Sequence, residues 1–248
     1  MLSGRLIGGV SVFFLLSCSG NHQGFTGCLF VMSPRKPRIS VELPLYDALW
    51  KLHPRIKRRF PGEWPSQEGV NALGVMFGRP SGLRTGYTGG YWNTPANTVT
   101  FASTGSDGNH FGFLILKSRI DADSPIVLTA PWSGGDNRIL ARNFQTFLRM
   151  GLRRGFFGME QFAFDPKQAI HVYGTPDWEP TENWHYSVGF VPDERQKRVL
   201  AFVAEELNLK PFCYTPKAFA NLQRRWMPKL HMSDDYYGEL ERRNLIED

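Results

Sequence analysis

Between Val99 and Gly155 the hydrophobic period of the chain switches from two to that of a helix, and this stretch limits the folds open to it. "VTFAS" alternates apolar and polar side chains, the pattern of a half-buried strand. "TGSDG", Thr104 to Gly108, follows as a tight turn: its two glycines accept positive φ, and Ser106 and Asp107 can hydrogen-bond the local backbone. "HFGFLILKSR" is a longer apolar run of strand type, so the two segments read as a hairpin. After a crossing loop "SPIVLTA" supplies a third strand, and a glycine turn leads into "ARNFQTFLRMGLRRG". There Phe144, Phe147, Leu148 and Leu152 line one helical face. Asn143 is the predicted N-cap; Arg149, Arg153 and Arg154 suit the negative C-terminus, and Gly155 closes the helix.

The flanking segments add helices. "LYDALWKLHPRIKRRF" predicts a short helix with Leu45, Leu49 and Leu52 on one side, stopped or kinked at Pro54. From Pro61 to Pro95 glycine and proline dominate, which predicts short strands or a flap. "GFFGMEQFAF" reads as a short helix or strand, and "WHYSVGF" as a further strand. "PDERQKRVLAFVAEELNL" predicts a helix capped by Asp193, with Gln196 completing a capping box and Val199, Phe202, Val203 and Leu207 buried. Thr215 and Pro216 open another, and the charged tail from His231 reads as frayed. Nineteen phenylalanines and seven tryptophans imply a dense aromatic core with aromatic side chains to spare for a contact surface.

Residues 1–31 stand outside this pattern. Arg5 is their one charge, and an apolar run from Leu6 to Leu16 has the shape of a signal peptide. Two readings of this leader stand: a lipoprotein signal with "LLSC" placing the lipid on Cys18, or a mis-assigned start ahead of Met32. The first puts the protein on a membrane through Cys18, the second in the cytoplasm. Residues 32–60 then form a basic lead-in and short helix, and 61–248 the main domain, with C-terminal helices from about residue 192. Without the leader, 28 basic residues face 23 acidic ones, a net charge of +5.

Chemistry is harder to find. Of three cysteines two lie in the leader, so Cys213 has no disulfide partner in the folded portion. The six histidines never pair at i, i+4, and there is no HExxH, CxxC, phosphate-binding GxxxxGK[ST] or GxSxG motif. No metal and no cofactor is expected. Glu160 with Asp165, or Cys213 with His171 or His185, are weak pairings on spacing alone. Arg55, Lys57, Arg58 and Arg59 form the densest positive cluster, which reads first as a solvated helix end and second as a contact for nucleic acid or an anionic surface.

The words "FASTGSDGNHFGFLIL", "SPIVLTAP" and "ILARNFQTFLRMGLRRGFFGMEQFAF" resemble the SUKH superfamily, which includes a yeast cell-wall-synthesis regulator and many bacterial immunity proteins against polymorphic toxins. "ELNLKPF" and "ANLQRRW" look like the C-terminal helices of a bacterial branch of it. The resemblance implies an α+β single domain, with a central, mainly antiparallel sheet flanked by helices and a C-terminal helical extension. It also implies a non-enzymatic module that binds another protein, such as a toxin domain. A core at +5 argues against an inhibitor that covers a nuclease's nucleic-acid groove, because such a cover needs acidic charge. Nucleic acid is therefore not the expected partner. The candidate contacts are Tyr91 and Trp92 in the flap, and Asp107 and His110 at the hairpin. The alternatives are an enzyme with its site in the same flap and hairpin, and a basic binder of nucleic acid or an anionic surface using Arg55 to Arg59.

Overall fold

A computed structural model describes residues 39–62, 67–80, 83, 91–105, 107–132, 136–176 and 191–242, with side chains up to residue 238. "WHYSVGF", Trp178, Trp184 and His185 lie outside the described residues, as do the leader and Ser106.

The expected hairpin forms from Thr98–Ser103 and His110–Leu114. In chain order the strands are β1 (Ser40–Val41), β2 (Met76–Phe77), β3 and β4 (the hairpin), β5 (Arg119–Ile120), β6 (Ile126–Ala130) and β7 (Asp136–Ala141). A five-stranded antiparallel sheet runs β2-β3-β4-β6-β7, while β1 and β5 make a short parallel pair. β7 stands where the sequence suggests only a glycine turn. It is fixed by pairing with β6 and by Gln223, whose side chain both donates to the Ile139 carbonyl and accepts from the Ile139 N–H. The fold is α+β, as expected.

The helices are α1 (Pro44–Arg59), α2 (Phe144–Arg154), α3 (Gln161–Phe164), α4 (Pro166–Gly174), α5 (Glu194–Glu206), α6 (Pro216–Trp226) and α7 (Asp234–Arg242). Asn143, Asp193 and Thr215 cap α2, α5 and α6 as predicted, each side chain accepting from the N–H three residues on. Three expectations change. α1 is not stopped at Pro54 but runs through it, because Tyr46, Leu49, Leu52 and Ile56 bury one continuous face across it. Gln196 does not complete a capping box: its Oε1 is buried without a hydrogen bond. In the tail beyond His231, expected to fray, Asp234–Arg242 form α7. Among the described residues no helix is long and apolar enough to cross a membrane.

Both faces of the sheet are covered, so every residue of β4 and β6 is buried. On one face Phe101, Phe111, Phe113, Phe144 and Phe147 pack together, with Phe101 and Phe113 centroids 4.4 Å apart and the Phe144 and Phe147 rings edge-on to Phe101. Each such ring contributes on the order of 1.5–3 kcal/mol by burial. α2 can sit this close because Gly151 leaves room for Phe156, whose ring lies 2.2 Å from where a Cβ would be. On the other face Leu114, Val127 and Ile139 are covered by Leu222, Trp226, Met227 and Leu230.

Candidate functional site

The hairpin end of the sheet is built by the turn from Thr104 to Asn109. Gly105 and Gly108 have φ of 81° and 72°, and Asp107 shares the left-handed conformation at 51°. The Thr104 N–H donates to the Asn109 carbonyl at 3.0 Å, closing the turn. Beneath it, the Asn109 amide donates to the buried carboxyl of Glu160 at 2.9 Å. Burial raises the Glu160 pKa above the ordinary carboxylate value, and bonds from Asn109 and Thr104 oppose that shift. Glu160 thus braces the turn, whereas Asp165 caps α4 through the Gln168 N–H; the weak pairing of the two acids is replaced by separate tasks.

His110 opens β4 and is almost wholly buried. Its Nδ1 lies 2.7 Å from the Gly108 carbonyl, which can only accept, so Nδ1 carries the proton. In the neutral ring Nε2 then accepts from the Thr94 hydroxyl at 3.2 Å. Burial lowers the His110 pKa and favours this neutral state, with the Gly108 bond working the other way. Both ring nitrogens are engaged, so His110 holds the turn to the flap.

Tyr91 lies over this unit, stacked on His110 at 5.9 Å between centroids. The ring passes so close to Gly108 that a Cβ there would meet it at 2.2 Å. Tyr91, Asp107 and His110 line one cavity of about 370 Å³ together with Met76, Thr94 and Ser103. Three of the four candidates therefore converge. Trp92 does not line this cavity; it stacks on Tyr236 at 5.5 Å and ties α7 to the flap.

Two exposed aromatics at this end had no sequence argument. Trp132 is 74% exposed just beyond β6, and Tyr237 follows the Tyr236 that Trp92 holds. A tryptophan followed by Ser-Gly-Gly just after the strand "SPIVLTA" is the signal that would have found the first of them. Three members of the Arg55–Arg59 cluster have partners within the chain, and Arg58 is exposed. Arg55 makes two hydrogen bonds of 2.5 Å to Glu206, Lys57 pairs with Glu68 at 2.7 Å, and the Arg59 guanidinium lies 5.0 Å from the Phe202 ring centroid. Cys213 is a half-buried free thiol.

Neither the family models nor the curated proteins contain a match to this sequence.

Proposed function

We propose that the chain is a non-enzymatic protein-binding module whose partner docks on the hairpin end of the sheet. One observation carries the reading: four of the seven large apolar side chains exposed among the described residues gather there. Met76 (42% exposed) is paired with Ser103, Tyr91 (43%) covers His110, Trp132 (74%) extends from β6, and Tyr237 (53%) stands beside Trp92 through Tyr236. Aromatic side chains around a shallow cavity are the usual source of binding energy in protein interfaces. Here the turn, the stacked His110 and the Glu160 brace hold Tyr91 in place before any partner arrives, which lowers the ordering cost of association. The SUKH resemblance narrows the proposed partner to a toxin domain, and the positive core favours one with a neutral or acidic face.

The test uses the full chain as bait in native lysate, beside a Tyr91→Ala, Trp132→Ala double variant. Recovery of the partner should fall by at least about tenfold in the variant, with the melting transition nearly unmoved. Equal recovery by a folded variant would reject the rim. A partner released in chemically altered form would reject a binding-only role.

A further inference from the structure

The opposite end of the same sheet carries a second cavity, larger and of different chemistry. It is an open groove of about 1020 Å³ between the turn after β4, the β7–α2 junction and α6. Lys117, Arg142, Arg149 and Arg225 line it, and among the described residues none of the four forms an ion pair. Arg119, also on the lining, is neutralised by Asp121 at 2.5 Å. The N-terminus of α2 opens on the same space through Asn143 and Thr146, adding the positive end of a helix dipole.

Two of these cations are already fixed in place. Arg149 donates from Nε to the Lys210 carbonyl at 2.8 Å, and its guanidinium lies 5.3 Å from the centre of the Phe212 ring. Arg225 lies 4.7 Å from the centre of the Trp226 ring. A guanidinium held on an aromatic face gives up little side-chain freedom when an anion arrives. The lining between the cations is apolar: Leu222 and Trp226 rest on the small core of Leu114, Val127 and Ile139 and remain only partly buried.

We propose that this groove binds an acidic peptide segment bearing leucine or phenylalanine side chains, presented by a protein partner. The unpaired cations take the carboxylates, and the Leu222–Trp226 strip takes the apolar side chains. A small anion would leave most of the volume and all of that strip unused. A phosphodiester backbone, charged at each residue, must bring a negative charge past Asp121 and Asp123 on the lining, where a peptide can place an uncharged residue.

The site is separate from the aromatic rim and is tested without it. The full chain is titrated into a fluorescein-labelled peptide rich in glutamate and leucine, its counterpart with lysine for glutamate, and labelled poly(U), with unlabelled pyrophosphate as competitor. Saturable binding of the glutamate peptide alone, weakening steeply with added salt, supports the proposal. An Arg142→Glu, Arg225→Glu variant should weaken it by about tenfold or more while melting like the wild type, since both arginines are exposed. The Tyr91→Ala, Trp132→Ala variant should bind the peptide as wild type does. No binding of the glutamate peptide, tighter binding of poly(U), displacement by pyrophosphate at peptide-like concentrations, or indifference to the arginine reversals would each overturn it.

Discussion

The two ends of the central sheet share their strands and differ in almost everything else. At the hairpin end several polar groups answer one another: His110 is bonded at both nitrogens, Asn109 donates to Glu160, and Thr129 donates to Asn137, while the Asn93 side chain and the Asn109 Oδ1 are buried without a hydrogen bond. Four large apolar side chains, Tyr91, Trp132, Tyr237 and Met76, face outward there beside the exposed Asp107. At the groove end the apolar surface is largely covered by α6, and the cations Lys117, Arg142, Arg149 and Arg225, none of them in an ion pair among the described residues, outnumber the carboxylates of Asp121 and Asp123. One end can bind by removing aromatic surface from water, and the other by supplying charge to a ligand that brings the opposite sign.

The most severe way to break the comparison is to remove what both ends share. Phe101 touches the rings of Tyr46, Phe77, Phe113, Phe144 and Phe147 at the middle of the sheet. Phe101→Ala should cost about 3–5 kcal/mol in urea denaturation. Both binding activities should then fail together as denaturant rises. Rim binding lost well before peptide binding would show that the ends unfold as separate units.

A smaller effect is expected from Gly108→Ala, which strikes one end only. The left-handed φ costs about 1–2 kcal/mol for a residue with a Cβ. The new methyl also displaces the Tyr91 ring. Rim binding should drop more than the melting transition accounts for, with peptide binding in the groove untouched.

The mildest test is acid. The folded state holds His110 below its usual pKa of 6.5, so it binds fewer protons there than the unfolded chain does. That contribution to stability is complete above 6.5 and is lost as pH falls through the folded value. His110→Gln should flatten the pH dependence of the urea midpoint in that window. A wild-type profile matching the variant's would remove His110 as the brace between turn and flap.

Most of the hairpin end was legible in the chain because its signals are local. The glycines of "TGSDG" are read within five residues; elsewhere in the chain the caps Asn143, Asp193 and Thr215 are as local, reaching N–H groups three positions away. Tyr91 and His110 were singled out separately, and the fold stacked them. Trp92 looked equivalent to Tyr91 and was not, since its partner Tyr236 lies far along the chain. β7 escaped notice because "DNRILA" carries a weak alternation and gains its identity from β6 and Gln223. Pro54 reads as a stop or a kink, and a buried face on both sides of it carries α1 through without a stop.

The sequence by itself determined where the chain turns, which helices are capped and which faces are apolar, because hydrogen-bond reach and side-chain period act over a few residues. Only the tertiary structure decided which of two neighbouring aromatics faces the cavity, and that arginines on α2 and α6 would share one groove. Those outcomes depend on contacts between segments dozens of residues apart, whose order in space no local period records.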